Sequence, residues 1–269
     1  MIKIPYFLFF LFSILFHAQD TDVTLSEINF YYRLKDKTVP ENSDLSEEYF
    51  LLNIKGNQST FCSTKQLIRD SISLEALKRF NKGSRVISFE GSPRTRFTSY
   101  IYKDHKTQNI EVIDNISKDN FRYSEAKLEN WKVGNTTKVI EGYKCQNAEI
   151  KAFGRTFIAW FSTEIPISDG PYKFLGLPGL ILELYDVEDK FHFTLVKYTP
   201  KEKVKINPEF YKFQKVKTTD KEKFYLAKKS YQETVVERAR AMGIGIDENR
   251  AQQLRKKSTK KIEWIEKAL

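Results

Sequence analysis

The chain is poor in the side chains that carry most enzyme chemistry. Of its 269 residues two are cysteine and three are histidine, and one of those histidines, His17, belongs to an apolar leader. That leaves His105 and His192 as the only imidazoles available to orient or deprotonate a nucleophile. His105 sits in the charged turn Lys103-Asp104-His105-Lys106 and reads as solvated. His192 alternates with Phe191 and Phe193, so it points to the opposite sheet face and reads as a surface or satisfied histidine. No G-x-S-x-G elbow, H-E-x-x-H pair or G-x-x-x-x-G-K-[ST] phosphate loop occurs. Two cysteines and two histidines cannot close a zinc site without carboxylates, and no ligand-like spacing is present. No catalytic residue, metal site or cofactor is assigned. After residue 16 no stretch approaches the roughly 18 apolar residues of a membrane span.

What is present begins with a leader. Lys3 precedes the nearly unbroken apolar run Ile4 to Phe16, and His17-Ala18-Gln19 opens into polar sequence. Residues 1–19 read as a secretory signal peptide cut next to Ala18 or Gln19, with an uncleaved anchor as the alternative. Export would permit a disulfide between Cys62 and Cys145, and two buried thiols are the other reading.

Beyond the leader, tyrosine and phenylalanine number 35 against three tryptophans, which suits strands. At least eight short alternating segments follow one another between turn signals, from Thr24–Lys35 to Phe191–Tyr198. One helix interrupts them, with Leu67, Ile68, Ile72, Ala76, Leu77 and Phe80 as its apolar stripe. The expected fold is α+β and mainly antiparallel, a large curved sheet or a sandwich. Residues 20–200 form its β-rich domain. Residues 201–269 hold 19 Lys/Arg against 10 Asp/Glu and read as a basic appendage of two helices. The first helix is expected to start at a Thr219–Glu222 capping box, and the second to run from Asp247 through Ile265. Its lysines alternate with glutamates at helical spacing, as on a solvated face. Docking on an acidic envelope partner is the second reading, and nucleic acid is not expected.

Ile165 to Asp186 organises the rest. These 22 residues contain three of the eight prolines and three of the eleven glycines, and end in the strand pattern Leu180, Leu182, Leu184. Leu177-Pro178-Gly179-Leu180 fits a type II turn, with Gly176 easing entry. The structural reading is a rigid corner feeding a core strand. The functional one is a binding loop with Tyr172, Phe174 and Leu175 as an apolar lip and Trp160 and Pro171 as further binding candidates, which exposure would favour. The acids Glu183, Asp186, Glu188 and Asp189 bracket a hairpin tip; they lack the EF-hand pattern and read as solvated rather than as calcium ligands.

Gly176-Leu177-Pro178-Gly179-Leu180-Ile181 spells the six letters of the GLPGLI family. Tyr143-Lys144-Cys145, Trp160 with Pro166, Gly170-Pro171 and Tyr185-Asp186 extend the pattern over most of the mature chain. Tyr172 departs from it, since members often carry Trp there, and Cys62 lies outside it. The chain thus resembles an exported family of Gram-negative bacteria without an established activity. The resemblance implies a periplasmic, envelope-associated or secreted protein, working beside a TonB-dependent or other outer-membrane transport protein. The expectation drawn from all this is a non-enzymatic binding protein, taking a protein partner or an apolar ligand. The rival is an envelope hydrolase with a carboxylate pair as its acid and base.

Overall fold

The computed structural model describes residues 27–86, 88–200, 215–260 and 264–267, so the leader lies outside the described residues. The first strands are β1 (Glu27–Asp36), β2 (Glu47–Lys55) and β3 (Gln58–Ser63), followed by helix α1 (Thr64–Asn81). Next come β4 (Tyr100–Asp104), β5 (Asn109–Ile116), β6 (Asp119–Ala126), β7 (Lys132–Ile140), β8 (Tyr143–Ala152) and β9 (Arg155–Ser162). β10 (Leu180–Asp186), β11 (Phe191–Pro200) and β12 (Val216–Thr218) complete the strands. Helices α2 (Lys221–Glu233), α3 (Val235–Ala241) and α4 (Glu248–Lys260) close the chain.

Among the described residues, all twelve strands join one sheet in the order β12-β6-β5-β4-β3-β2-β1-β11-β10-β9-β8-β7. Every pairing is antiparallel except that of β12 with β6. Alternation sorts the side chains onto two faces. Phe30, Tyr32 and Leu34 of β1 are buried on one face with Phe50 and Leu52 of β2, Phe61 of β3, and Phe191 and Phe193 of β11. The Phe50 and Phe61 rings stack at 5.0 Å, and Phe193 meets both edge-on.

That inner face is rolled. The ammonium of Lys173 lies 5.1 Å from the Tyr123 ring of β6 and 5.6 Å from the Phe153 ring at the β8–β9 turn. β6 and β9 are eight strand steps apart, which would be about 38 Å in a flat sheet. A single sheet curled on itself replaces the sandwich alternative. What fills it is not a second sheet but the loop between β9 and β10.

α1 covers the outer face of β2 to β4, and its buried side is not the expected apolar stripe. Gln66, Asp70, Leu74 and Ala76 face the sheet, where Tyr100 donates to Asp70 Oδ2 at 2.5 Å. Ile68, Leu77 and Phe80 are exposed. The polar contacts to Tyr100 fix the helix's rotation against its own hydrophobic pattern.

The C-terminal quarter packs into the same core. β12 extends the sheet, and Phe224 of α2 is buried against Tyr123 and Phe121. The helix is capped by Asp220, whose side chain accepts from the Lys223 N–H, rather than by a Thr219 box. α4 stops at Lys260, and Ile265 belongs to a short non-helical segment that runs back to the β8–β9 turn, where the Lys267 N–H donates to the Phe153 carbonyl at 2.9 Å. Among the described residues no helix is long and apolar enough to cross a membrane.

Candidate functional site

The loop from 163 to 179 crosses the rolled interior, and its glycines serve different ends. The type II turn expected at Leu177–Leu180 does not form: left-handed φ falls at Gly176 (99°) and Tyr172 (56°), not at Gly179. Gly179 is required by proximity, because a Cβ there would sit inside the Ser162 carbonyl. At Gly170 a Cβ would press on Ile181 at 2.8 Å. The left-handed backbone at Tyr172 costs an L-residue roughly 1–2 kcal/mol. It turns Tyr172, Lys173 and Phe174 together into the interior.

Tyr172, Phe174, Leu175 and Leu177 are all buried, and Pro171 with them. Phe174 packs on Phe157 at 4.7 Å, and the Trp131 indole N–H donates to the Leu175 carbonyl at 3.0 Å. There is no exposed apolar lip; these residues are the core of the roll. Trp160 is buried as well, but on the outer face of β9, with the Lys138 ammonium 4.3 Å above its ring. The loop returns through the Leu180 N–H to the Ile165 carbonyl and the Ile181 N–H to the Asp169 carbonyl.

Two ionic clusters tie this loop to distant strands. In the first, Asp169 and Lys103 are completely buried and 2.6 Å apart. Lys103 also donates to the Gly170 carbonyl at 2.7 Å. Asp169 further accepts from Ser59 at 2.5 Å and from the Gly170 N–H at 2.7 Å. His105 Nε2 stands 2.8 Å from its other oxygen, so His105 is an anchor rather than the solvated turn residue expected. Burial alone would raise the Asp169 carboxyl; Lys103 and His105 outweigh it and hold the group below the ordinary carboxylate range. Burial pushes Lys103 down, and Asp169 offsets only part of that.

In the second cluster Lys173, nearly fully buried, meets Glu266 at 2.5 Å and Glu125 of β6. Lys221 of α2 bridges the same two carboxylates at 2.6 and 2.8 Å. The Tyr172 hydroxyl donates to Glu266 at 2.6 Å. Burial would raise Glu266, but Lys173 and Lys221 bring it below its ordinary value. Sequence reasoning passed over both clusters. One signal was available: in Tyr100-Ile101-Tyr102-Lys103 the lysine falls on the Ile101 side, a charge at an inward position.

On the outer face His192 presents Nε2 to Glu183 and Nδ1 to Asp189, each at 2.9 Å. Glu183 also pairs with Lys138 and Asp189 with Lys37. The hydrogen bond that Glu183 accepts raises the His192 pKa above its usual value, with the one to Asp189 adding to it against desolvation. With both ring nitrogens engaged by carboxylates, His192 is tied into the surface rather than offered to a substrate. Asp186 instead faces inward to Arg155 at 3.0 Å, so the acids near the hairpin tip do not converge on one point. The carboxyls pushed upward are Asp70, to about 6, and Glu48, each chiefly by burial. Both are sealed, Asp70 under α1 and Glu48 beneath Ser63 and Thr95. Cys62 and Cys145 are free, buried thiols on β3 and β8, six strands apart in the sheet order, so of the two readings the unbridged one describes this structure.

The arrangement holds and fastens; it brings no accessible nucleophile to a base. A family model described as a protein of unknown function (Porph_ging) matches residues 154–183, which are β9, the loop and the start of β10. No curated protein matches the chain in sequence. Among solved structures, PNGF-II in its P21 crystal form superposes with a TM-score of 0.53 at 11% identity, over 77% of this chain and 34% of that one. The C2 form gives 0.50 at 11% identity, over 77% and 32%. The chain thus spans about a third of the length of those structures, and at that identity the likeness is one of fold alone.

Proposed function

We propose that this is an exported, envelope-associated binding protein of the GLPGLI type, and that its working surface is the inner face of the rolled sheet. One observation carries the reading. The apolar interior is closed by two irregular segments, the 163–179 loop and residues 264–267, each pinned by buried ion pairs. The second of these, four residues outside any strand or helix, can leave without unfolding either, whereas a second sheet could not. The acid–base alternative lacks support, because the raised carboxyls are sealed and the paired ones are neutralised by lysines. Native mass spectrometry of the tagged protein extracted gently from envelopes tests the proposal. A reproducible non-covalent adduct, removed by organic extraction, is the expected result.

A second reading has its own observation. Leu77 and Phe80, about 60° apart near the end of α1, are exposed apolar side chains that a protein partner such as an outer-membrane transport protein could cover. Bare protein mass together with crosslinks from α1 to one envelope protein would replace the ligand reading with this one.

A further inference from the structure

The segment Trp264 to Lys267 enters the interior as a guest would. Ile265 and Glu266 are 4% and 5% exposed. The Glu266 carboxylate takes Lys173, Lys221 and the Tyr172 hydroxyl. The Trp264 and Ile265 carbonyls accept from Arg155 at 3.2 and 3.1 Å. The Trp264 ring lies 4.4 Å from the Lys228 ammonium. An anion and an apolar body are thus placed side by side.

Each charged host group keeps another partner if the segment leaves. Arg155 retains Asp186 at 3.0 Å, and Lys228 retains Asp114 at 2.7 Å. Lys173 and Lys221 both retain Glu125. Removal therefore leaves no charged group wholly without a counterion, although Lys173 and Lys221 must then share Glu125. It leaves two ammoniums against the single carboxylate of Glu125, a net charge of +1. The fit is also incomplete, since a space of about 30 Å³ remains beside Ile265 and Glu266, between the tyrosines Tyr123, Tyr172 and Tyr225 and the charged Arg96, Asp114 and Lys228.

We infer that residues 264–267 occupy, as an internal ligand, a binding site for an amphiphile that carries one carboxylate on a long apolar chain. The carboxylate replaces Glu266 on Lys173, Lys221 and Tyr172, and the chain takes the volume that Ile265 and the Trp264 ring vacate. A single negative charge restores neutrality, where a phosphate dianion would exceed it. This rests on the binding reading above and adds the chemistry of the ligand's head.

The test uses the full chain, wild type and Ile265→Ser/Glu266→Gln, titrated with dansylaminoundecanoic acid and with its methyl ester. A segment that competes for its own site lowers apparent affinity, so the double variant should bind the acid about tenfold more tightly than wild type. The ester, lacking the charge-assisted bonds, should bind about tenfold more weakly than the acid. Equal binding of acid and ester would remove the carboxylate seat while leaving an apolar-ligand protein. Equal affinity of variant and wild type would remove the internal-ligand role. Absence of binding by either chain would overturn both this inference and the ligand reading beneath it. If the double variant fails to fold, hydrogen exchange on wild type decides: saturating acid must deprotect the Lys267 amide, and unchanged protection refutes displacement.

Discussion

Asp169 shows how much a single side chain can fasten. Its two oxygens receive Lys103, Ser59, His105 and the Gly170 N–H, so every lone-pair direction is used and the group stays ionised. Asp169→Asn keeps the size but presents an NH2 to donors and leaves Lys103 charged without a counterion. Breaking a buried pair from one side costs about 3–5 kcal/mol, and urea unfolding should show a loss of that order. Adding Lys103→Met removes the stranded charge and should restore part of it. A loss below about 1 kcal/mol for the single variant would mean that the pair is not the anchor described. This contact was half legible. The lysine's inward position is written in the alternation of β4, but its partner lies 66 residues on, and pairing at that separation leaves no local trace.

At the scale of elements, period two was readable and rotation was not. The strand alternation gave β1, β9 to β11 and the hairpins near their observed bounds, because burial of one face enforces it. The helix at 64–81 was equally plain, yet its buried side is Gln66–Asp70–Leu74 rather than the Ile68–Phe80 stripe. What decides is a set of hydrogen bonds from a strand the helix does not yet know in sequence terms. The same misreading applies to Leu177–Leu180, where proximity to Ser162 and not turn conformation requires the glycine. Asp70 makes the helix contact testable. Burial raises its carboxyl from 3.8 to about 6, so the native state holds that proton more tightly than the unfolded chain. Stability from this site is therefore greatest below pH 4 and falls as pH rises toward 6, by about 2–3 kcal/mol. Asp70→Asn cannot ionise and should lose that slope: its stability relative to wild type should rise between pH 4 and 7. A constant difference across that range would show that Asp70 titrates normally.

The whole molecule is a sheet rolled around its own loop, and nothing local in the sequence dictates the roll. It follows from Asp169, Lys173 and Glu266 binding strands that lie far apart in the sheet order, which only the assembled structure displays. The interior is thus closed by carboxylates, and closure should depend on their charge. Asp169 and Glu266 both titrate below the ordinary carboxylate range of about 4. Their contribution is complete above that range and is lost as pH falls through the depressed native values. The twelve-stranded ladder carries no such dependence, since its backbone hydrogen bonds do not titrate. Acidification should therefore free the loop and residues 264–267 before the strands melt. A rise in binding of an apolar dye below about pH 4, with far-ultraviolet strand dichroism intact, is the expected sequence of events. Glu266→Gln, whose seat is already weakened at neutral pH, should begin that rise at higher pH than wild type. Dye binding that appears only as the dichroism collapses would mean that sheet and closure form one cooperative unit, and the closure would then be structural rather than a door.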